Sequence, residues 1–333
     1  MWDTGVAVRR RTTIPSVHRR TFLAAAGASA AAAIPPAADI PIIDTHIHLF
    51  DPNRPQGVPW PGKDNRILYQ PALPDRYRKL ATPLGINGAI EVEASPWLED
   101  NQWVLDVAAK DTIIVGTVGN LEPGQPEFGK QLDRFHRNPL FRGIRYGNLW
   151  GRKFAEEAAK PAFAADLKLL AGAGLVMDTA NPNPALIETV VRLTDRVPEL
   201  RVVVDHLPQC TPPSDAAGLK VYNANLRELG KRPQVYVKLS EVFRRIDGKV
   251  VEDAAFYRGR LDELYGIFGE DRVLYGSDWP NSDQWAPYPK VLGLVRDYFS
   301  GKSVAAQEKY FWRNSVAAYR WVKRESGQPG DRV

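Results

Sequence analysis

Eight short β-prone runs recur at steady spacing along this chain, and a helical pattern follows each one. The runs fall near 40–48, 87–93, 112–119, 141–146, 173–178, 201–206, 234–240 and 272–278. The helical stretches fall near 74–84, 97–110, 126–137, 155–172, 184–196, 221–231, 252–268 and 287–300, and an amphipathic stretch at 303–322 ends the series. Strand–helix alternation returns the chain to the same edge each time, so neighbouring strands run parallel. Eight such units predict a closed α/β barrel, the (β/α)8 or TIM-barrel architecture, as a single domain over 39–325 with a flexible tail at 326–333. A doubly wound open sheet is the alternative. It would usually place a glycine-rich turn after its first strand to hold phosphate, whereas this first turn reads His48-Leu49-Phe50-Asp51-Pro52.

Residues 1–38 have a different character. Arg9, Arg10, Arg11, Arg19 and Arg20 are followed by Thr21-Phe22-Leu23 and an alanine-rich apolar run to Ile34. A basic region, a moderately apolar region and small residues before Asp39 form the pattern of a cleavable export signal. Arg19-Arg20-Thr21-Phe22-Leu23 resembles a twin-arginine signal, which implies a periplasmic or secreted protein. The apolar run is too short and alanine-rich to span a bilayer, which needs ~20 strongly apolar residues, so no stable membrane insertion is expected after cleavage. The leader arginines account for most of the formal charge of +5. The basic balance is therefore no sign of a nucleic-acid partner. Cys210 is the single cysteine, which excludes an intramolecular disulfide.

The chain has five histidines, and two of them, His46 and His48, sit two residues apart at the end of the first run. Side chains at i and i+2 of a strand point the same way, so both converge on one side. In a parallel barrel the reactive groups lie at the C-terminal ends of the strands. Those ends carry Glu91 and Glu93, Arg145, Asp178, His206 and Asp278. On the seventh run, Val235, Val237 and Leu239 share an apolar face, which turns Tyr236, Lys238 and Ser240 inward. Lys238 is a candidate to compensate Glu91 or Glu93, and Arg145 and Asp178 could pair. Asp44 shares the parity of the histidines but lies deeper, which favours a structural role.

Several segments together resemble the amidohydrolase superfamily, in its amidohydrolase-related branch of sugar lactonases and 2-pyrone-4,6-dicarboxylate lactonase. They are Ile43-Asp44-Thr45-His46-Ile47-His48-Leu49-Phe50-Asp51-Pro52, Pro59-Trp60-Pro61, Glu93-Ala94-Ser95-Pro96-Trp97, Phe141-Arg142-Gly143-Ile144-Arg145, Val204-Asp205-His206-Leu207, Lys238-Leu239-Ser240 and Gly276-Ser277-Asp278-Trp279-Pro280. The resemblance implies a hydrolase of a lactone or related ester in a small sugar acid or carboxylate. Asp278 would activate water, and His46, His48 and His206 would polarise the carbonyl. Arg145, Asp178, Lys238, Glu93 and Trp60 would contact the substrate, with Tyr69 and Trp279 as further pocket walls.

Metal-bearing relatives usually add a histidine or lysine at the end of the fifth strand, where this chain has Met177-Asp178-Thr179. That departure argues against a binuclear centre. His46, His48 and Asp278 would still supply three ligands for one divalent ion such as zinc, and the resembling branch also works without metal. No organic cofactor is implied. A zinc-dependent decarboxylase or hydratase of the same superfamily and a non-catalytic binding barrel are the rival readings. The leader reading yields a direct test. Replacing Arg19 and Arg20 by Lys should strand the precursor in the cytoplasm, and fractionation showing normal periplasmic delivery would refute it.

Overall fold

The β-branched and aliphatic runs form strands because their alternate residues find apolar surroundings on both faces. A computed structural model describes residues 40–330; the export-signal expectation falls on residues outside this range. In chain order the strands are β1 (Ile42–Ile47), β2 (Ile86–Val92), β3 (Ile114–Gly119), β4 (Phe141–Arg145), β5 (Val176–Asp178), β6 (Arg201–Val204), β7 (Val235–Lys238), β8 (Arg245–Ile246), β9 (Lys249–Val250) and β10 (Val273–Leu274). β1 to β7 and then β10 pair in that order as one parallel sheet. First and last strands then meet: Thr45 N donates to Tyr275 O at 3.1 Å, Asp278 N to His46 O at 2.8 Å and His48 N to Trp279 O at 2.7 Å. The result is an eight-stranded, nearly closed barrel, as expected.

The helices also fall where the periodicity puts them, with one difference. The stretch at 155–172 is two helices, Phe154–Ala159 and Pro161–Gly172. Pro161 lacks the N–H that a continuous helix would need and instead starts the second one. The β8–β9 hairpin was not anticipated. Both of its two-residue strands lie in the connection after β7, too short to show a period.

Two apolar layers follow from strand alternation. Val235, Val237 and Leu239 face the helices, whereas Tyr236 joins Ile43, Val92, Val118 and Val203 inside the barrel. The C-terminal segment covers the far end of this interior. Ala318, Tyr319 and Trp321 pack into the inner layer. Arg324 Nη1 donates to Ala108 O and Ile114 O, and the buried Gln328 donates to Thr112 O at 2.7 Å.

β1 does not keep a simple alternation. Its pairing with β2 shifts register between Asp44 and Ile47. This moves Asp44 away from the face that carries His46 and into the helix layer. There its Oδ1 accepts from Ser277 N at 2.8 Å and His46 N at 3.2 Å. Its Oδ2 accepts from Tyr77 OH at 2.8 Å and Tyr288 OH at 2.9 Å. The structural role expected for Asp44 holds, on the opposite face. It ties the first strand to the segment that carries Asp278. Asp44→Ala would strip an acceptor from four buried donors, two of which, the tyrosine hydroxyls 3.2 Å apart, can bond to each other. At about 1–3 kcal/mol per unsatisfied group, denaturant unfolding should show a loss of at least ~3 kcal/mol. An unchanged midpoint would remove Asp44 as the clamp.

Candidate active site

At the C-terminal mouth three imidazoles converge on one carboxylate oxygen. Asp278 Oδ1 lies 3.1 Å from His48 Nε2, 3.5 Å from His46 Nε2 and 3.6 Å from His206 Nε2. The rings of His46 and His206 are 4.3 Å apart and those of His46 and His48 4.9 Å. All four expected reactive residues therefore share one point, and all are buried.

Backbone geometry aims these groups. His206 has φ +50° and Asp278 φ +61°, in the left-handed region that non-glycine residues rarely adopt. The turn at His206 breaks the alternation of β6, so that Asp205 and His206, adjacent in sequence, both reach the interior network. Among the described residues seven non-glycine positions have positive φ. Five of them, Trp150, Asn181, His206, Glu241 and Asp278, line the mouth pocket, so strained backbone is concentrated where ligands would bind.

The ring contacts restrict the protons. His48 Nδ1 lies 2.8 Å from Val92 O. A carbonyl only accepts, so in the neutral ring the proton sits on Nδ1 and Nε2 is a lone pair. Burial, the largest influence, pushes the His48 pKa down to about 4 and pushes those of His46 and His206 well below the usual value. The three rings are therefore neutral near pH 7. Burial also raises Asp278, to about 6, against hydrogen bonds that lower it. Asn281 Nδ2 supplies one of them at 2.6 Å to Asp278 Oδ2 and also donates to Glu241 Oε1 at 3.1 Å. Above pH 6 the His48 lone pair and Asp278 Oδ1 are two acceptors facing each other. A water donating to both, or a cation between them, satisfies the pair.

That arrangement is also a test of metal fit. His46, His48 and Asp278 each offer a ligand atom, all within 4.8 Å of one another, and His46 Nε2 is buried with no hydrogen-bond partner among the described residues. Imidazole with carboxylate suits zinc and similar divalent ions. The residues fit one such ion, on the condition that His46 carries its proton on Nδ1.

The remaining candidates divide into two groups. Arg145, Glu93 and Trp60 line a mouth pocket of about 220 Å³ together with His48, His206, Asp278 and Asn281. Arg145 Nε meets Asp205 Oδ2 at 3.2 Å and Thr179 O at 3.4 Å. Trp60 stands edge-on to His48, with centroids 5.5 Å apart. Glu93 accepts from Trp150 Nε1 at 3.1 Å, and burial pushes its pKa up to about 7. Asp178 and Lys238, by contrast, are fully buried beneath the histidines. Lys238 Nζ hydrogen-bonds Asp178 Oδ2 at 2.7 Å and His46 Nδ1 at 3.1 Å and forms an ion pair with Asp205 Oδ1 at 2.9 Å. Neither residue is open to the pocket, so their expected contact with substrate gives way to a role under the site. Lys238 compensates Asp178 and Asp205, not Glu91 or Glu93, and Arg145 takes Asp205 as its ion-pair partner. Glu91 faces a separate cavity beside Arg54 and Asp100. Trp279 is fully buried against Tyr77 and is no pocket wall; Tyr69 does not reach the pocket either.

Sequence reasoning missed Asp205, Glu241, Asn281 and Trp150. Asp205 appeared only as a neighbour of His206, since strict alternation would turn it outward. Glu241, with φ +47°, lies three residues beyond Lys238 in a connection without a period.

A family model described as amidohydrolase matches residues 43–321. A Burkholderia ambifaria protein named L-fucono-1,5-lactonase is 25% identical over 293 residues, 86% of this chain and 97% of that protein. The crystal structure of an amidohydrolase from Burkholderia multivorans with bound zinc superposes with a TM-score of 0.72 at 23% identity, covering 84% of this chain and 99% of that one. A putative 2-pyrone-4,6-dicarboxylic acid hydrolase from Pseudomonas putida gives a TM-score of 0.66 at 21% identity, covering 84% and 98%.

Proposed function

The chain belongs to the amidohydrolase family, and on that premise we propose that this hydrolase opens the lactone ring of a small sugar acid or related carboxylate. The observation that carries the reading is the convergence of three neutral imidazoles on Asp278 Oδ1 beside a pocket that Arg145 enters. The relative named L-fucono-1,5-lactonase points to the same class of substrate.

Water seated between Asp278 Oδ1 and His48 Nε2 donates one proton to each acceptor. As it attacks the acyl carbon, Asp278 takes the proton. The negative charge that develops on the carbonyl oxygen needs donors placed in advance. His48 cannot donate from Nε2 while Nδ1 is committed to Val92, so direct stabilisation falls to His206, which lines the pocket, while the fully buried His46 faces Asp278 from behind. His206 is held for this by the Ser240 hydroxyl, 2.8 Å from its Nδ1. The ring C–O bond then breaks, and the leaving oxygen recovers the proton from Asp278. Lactone and water become a hydroxy acid with no other reactant. A divalent ion held by His46, His48 and Asp278 would add Lewis-acid polarisation of the carbonyl. Arg145 suits a carboxylate or hydroxyl of the substrate because its planar fork can make paired bonds. Trp60 supplies an apolar wall. We also propose export through the twin-arginine leader, which would place the reaction outside the cytoplasm.

The test is a panel of 1,4- and 1,5-aldonolactones, including L-fucono-1,5-lactone, with elemental analysis of the same sample. Asp278→Asn should lower kcat by at least ~10²-fold, the usual scale for a general base. His206→Asn should cost ~10²-fold, as for an oxyanion donor. Arg145→Gln should act mainly on KM, because its contact exists in the ground state as well. The raised pKa of Asp278 means that its base form is lost as pH falls through about 6, so kcat/KM should decline below that point. Near-normal turnover by Asp278→Asn would defeat the proposal. Release of carbon dioxide in place of ring opening would favour a decarboxylase.

A further inference from the structure

We propose that Lys238 is a positioning residue that holds His46 in the tautomer with its proton on Nε2, so that in the metal-free protein His46 is a hydrogen-bond donor and must give up that tautomer to become a metal ligand. The effect of that donor on Asp278 as the base rests on the function proposed above; the tautomer itself does not.

The argument is an inventory of donors and acceptors. A lysine ammonium has three N–H donors and no acceptor. Lys238 is fully buried, with Asp178 Oδ2 at 2.7 Å, Asp205 Oδ1 at 2.9 Å and His46 Nδ1 at 3.1 Å. Two of the donors make hydrogen bonds, to Asp178 Oδ2 and His46 Nδ1, while Asp205 Oδ1 is an ion-pair partner; the bond to His46 requires a lone pair on Nδ1. A neutral ring then has its proton on Nε2. The opposite tautomer would set Nδ1–H against the Lys238 ammonium at 3.1 Å and leave it Asp205 Oδ2, at 3.5 Å, as its acceptor. His46 Nε2 is itself buried and finds no hydrogen-bond partner among the described residues. It is an N–H aimed at Asp278 Oδ1, 3.5 Å away, from the covered side of the pocket. His48, with its proton fixed on Nδ1 by Val92 O, presents the complementary lone pair. The two histidines of the His-x-His motif are thereby set to opposite roles by their different neighbours. Zinc could recruit His46 only by first breaking its bond to Lys238.

The direct test needs no variant of Lys238. In metal-stripped protein labelled with ¹⁵N-histidine, two-bond proton–nitrogen correlations report the tautomer, with His46→Gln used to assign the signal. The expected pattern for His46 is a protonated Nε2 and an unprotonated Nδ1; the reverse pattern overturns the proposal. A second test uses Lys238→Met combined with Asp178→Asn, which removes one positive and one negative charge together. Freed from Lys238, His46 Nδ1 should donate to Asp205, and Nε2 should become a lone pair. Zinc titrated calorimetrically should then bind on the order of 10-fold more tightly, the usual scale for changing a ligand's hydrogen-bond partner. An unchanged tautomer and unchanged zinc affinity in the folded double variant would also overturn it. If that variant does not fold, the wild-type spectrum decides. A failure to open any lactone would refute the proposed reaction and leave both readouts standing.

Discussion

The charge buried beneath the histidines is what the rest of the site depends on. β5 and β7 end in, and β6 is followed by, a charged residue directed inward, and an unpaired charge in that setting would be prohibitive. Lys238 resolves this by lying between Asp178 and Asp205, while Arg145 from β4 takes the second oxygen of Asp205. Tyr319, rising from the C-terminal cover, donates to Asp178 Oδ2 at 2.8 Å. Removing one member of such a set typically costs about 3–5 kcal/mol, because the partner's charge remains buried. The network is therefore a rigid floor. The histidines above it are held by its charges and by the Val92 carbonyl and Ser240 hydroxyl, so their dipoles are fixed before a ligand arrives.

A second constraint acts from the side. Asp278 lies on the segment that closes the barrel, and the Asp44 carboxylate joins that segment to β1 through Ser277 N and His46 N. The same carboxylate is anchored to the helix layer by Tyr77 and Tyr288. Barrel closure and the approach of Asp278 to the His-x-His pair are thus one event. The left-handed backbone at His206, Glu241 and Asp278 is tolerated because the surrounding bonds leave these residues no alternative.

The fold was legible because a barrel strand reads the same in sequence and in space: Val235, Val237 and Leu239 face outward and Tyr236 and Lys238 inward, as alternation requires. The four converging residues were legible because barrel strands deliver their last residues to one mouth. What alternation could not give was any position where alternation fails. The register shift in β1 moved Asp44 to the other face. The left-handed turn at His206 brought Asp205 inward as well. The partners of Lys238 depended on which strand ends are neighbours in depth, a property of barrel geometry and not of spacing along the chain. The helix break was written in the sequence at Pro161 but was outweighed there by the apolar period on either side.

These features lead to one chemical claim: water, activated at Asp278, attacks an acyl carbon whose oxygen is held by the His206 imidazole N–H. The most direct measurement is the fate of oxygen in a single turnover of an aldonolactone carried out in H₂¹⁸O, read by mass spectrometry of the product. The account predicts one ¹⁸O in the new carboxylate and none in the released hydroxyl. Label in the hydroxyl would mean that the bond cleaved lies on the alkyl side of the ring oxygen, and it would contradict the account.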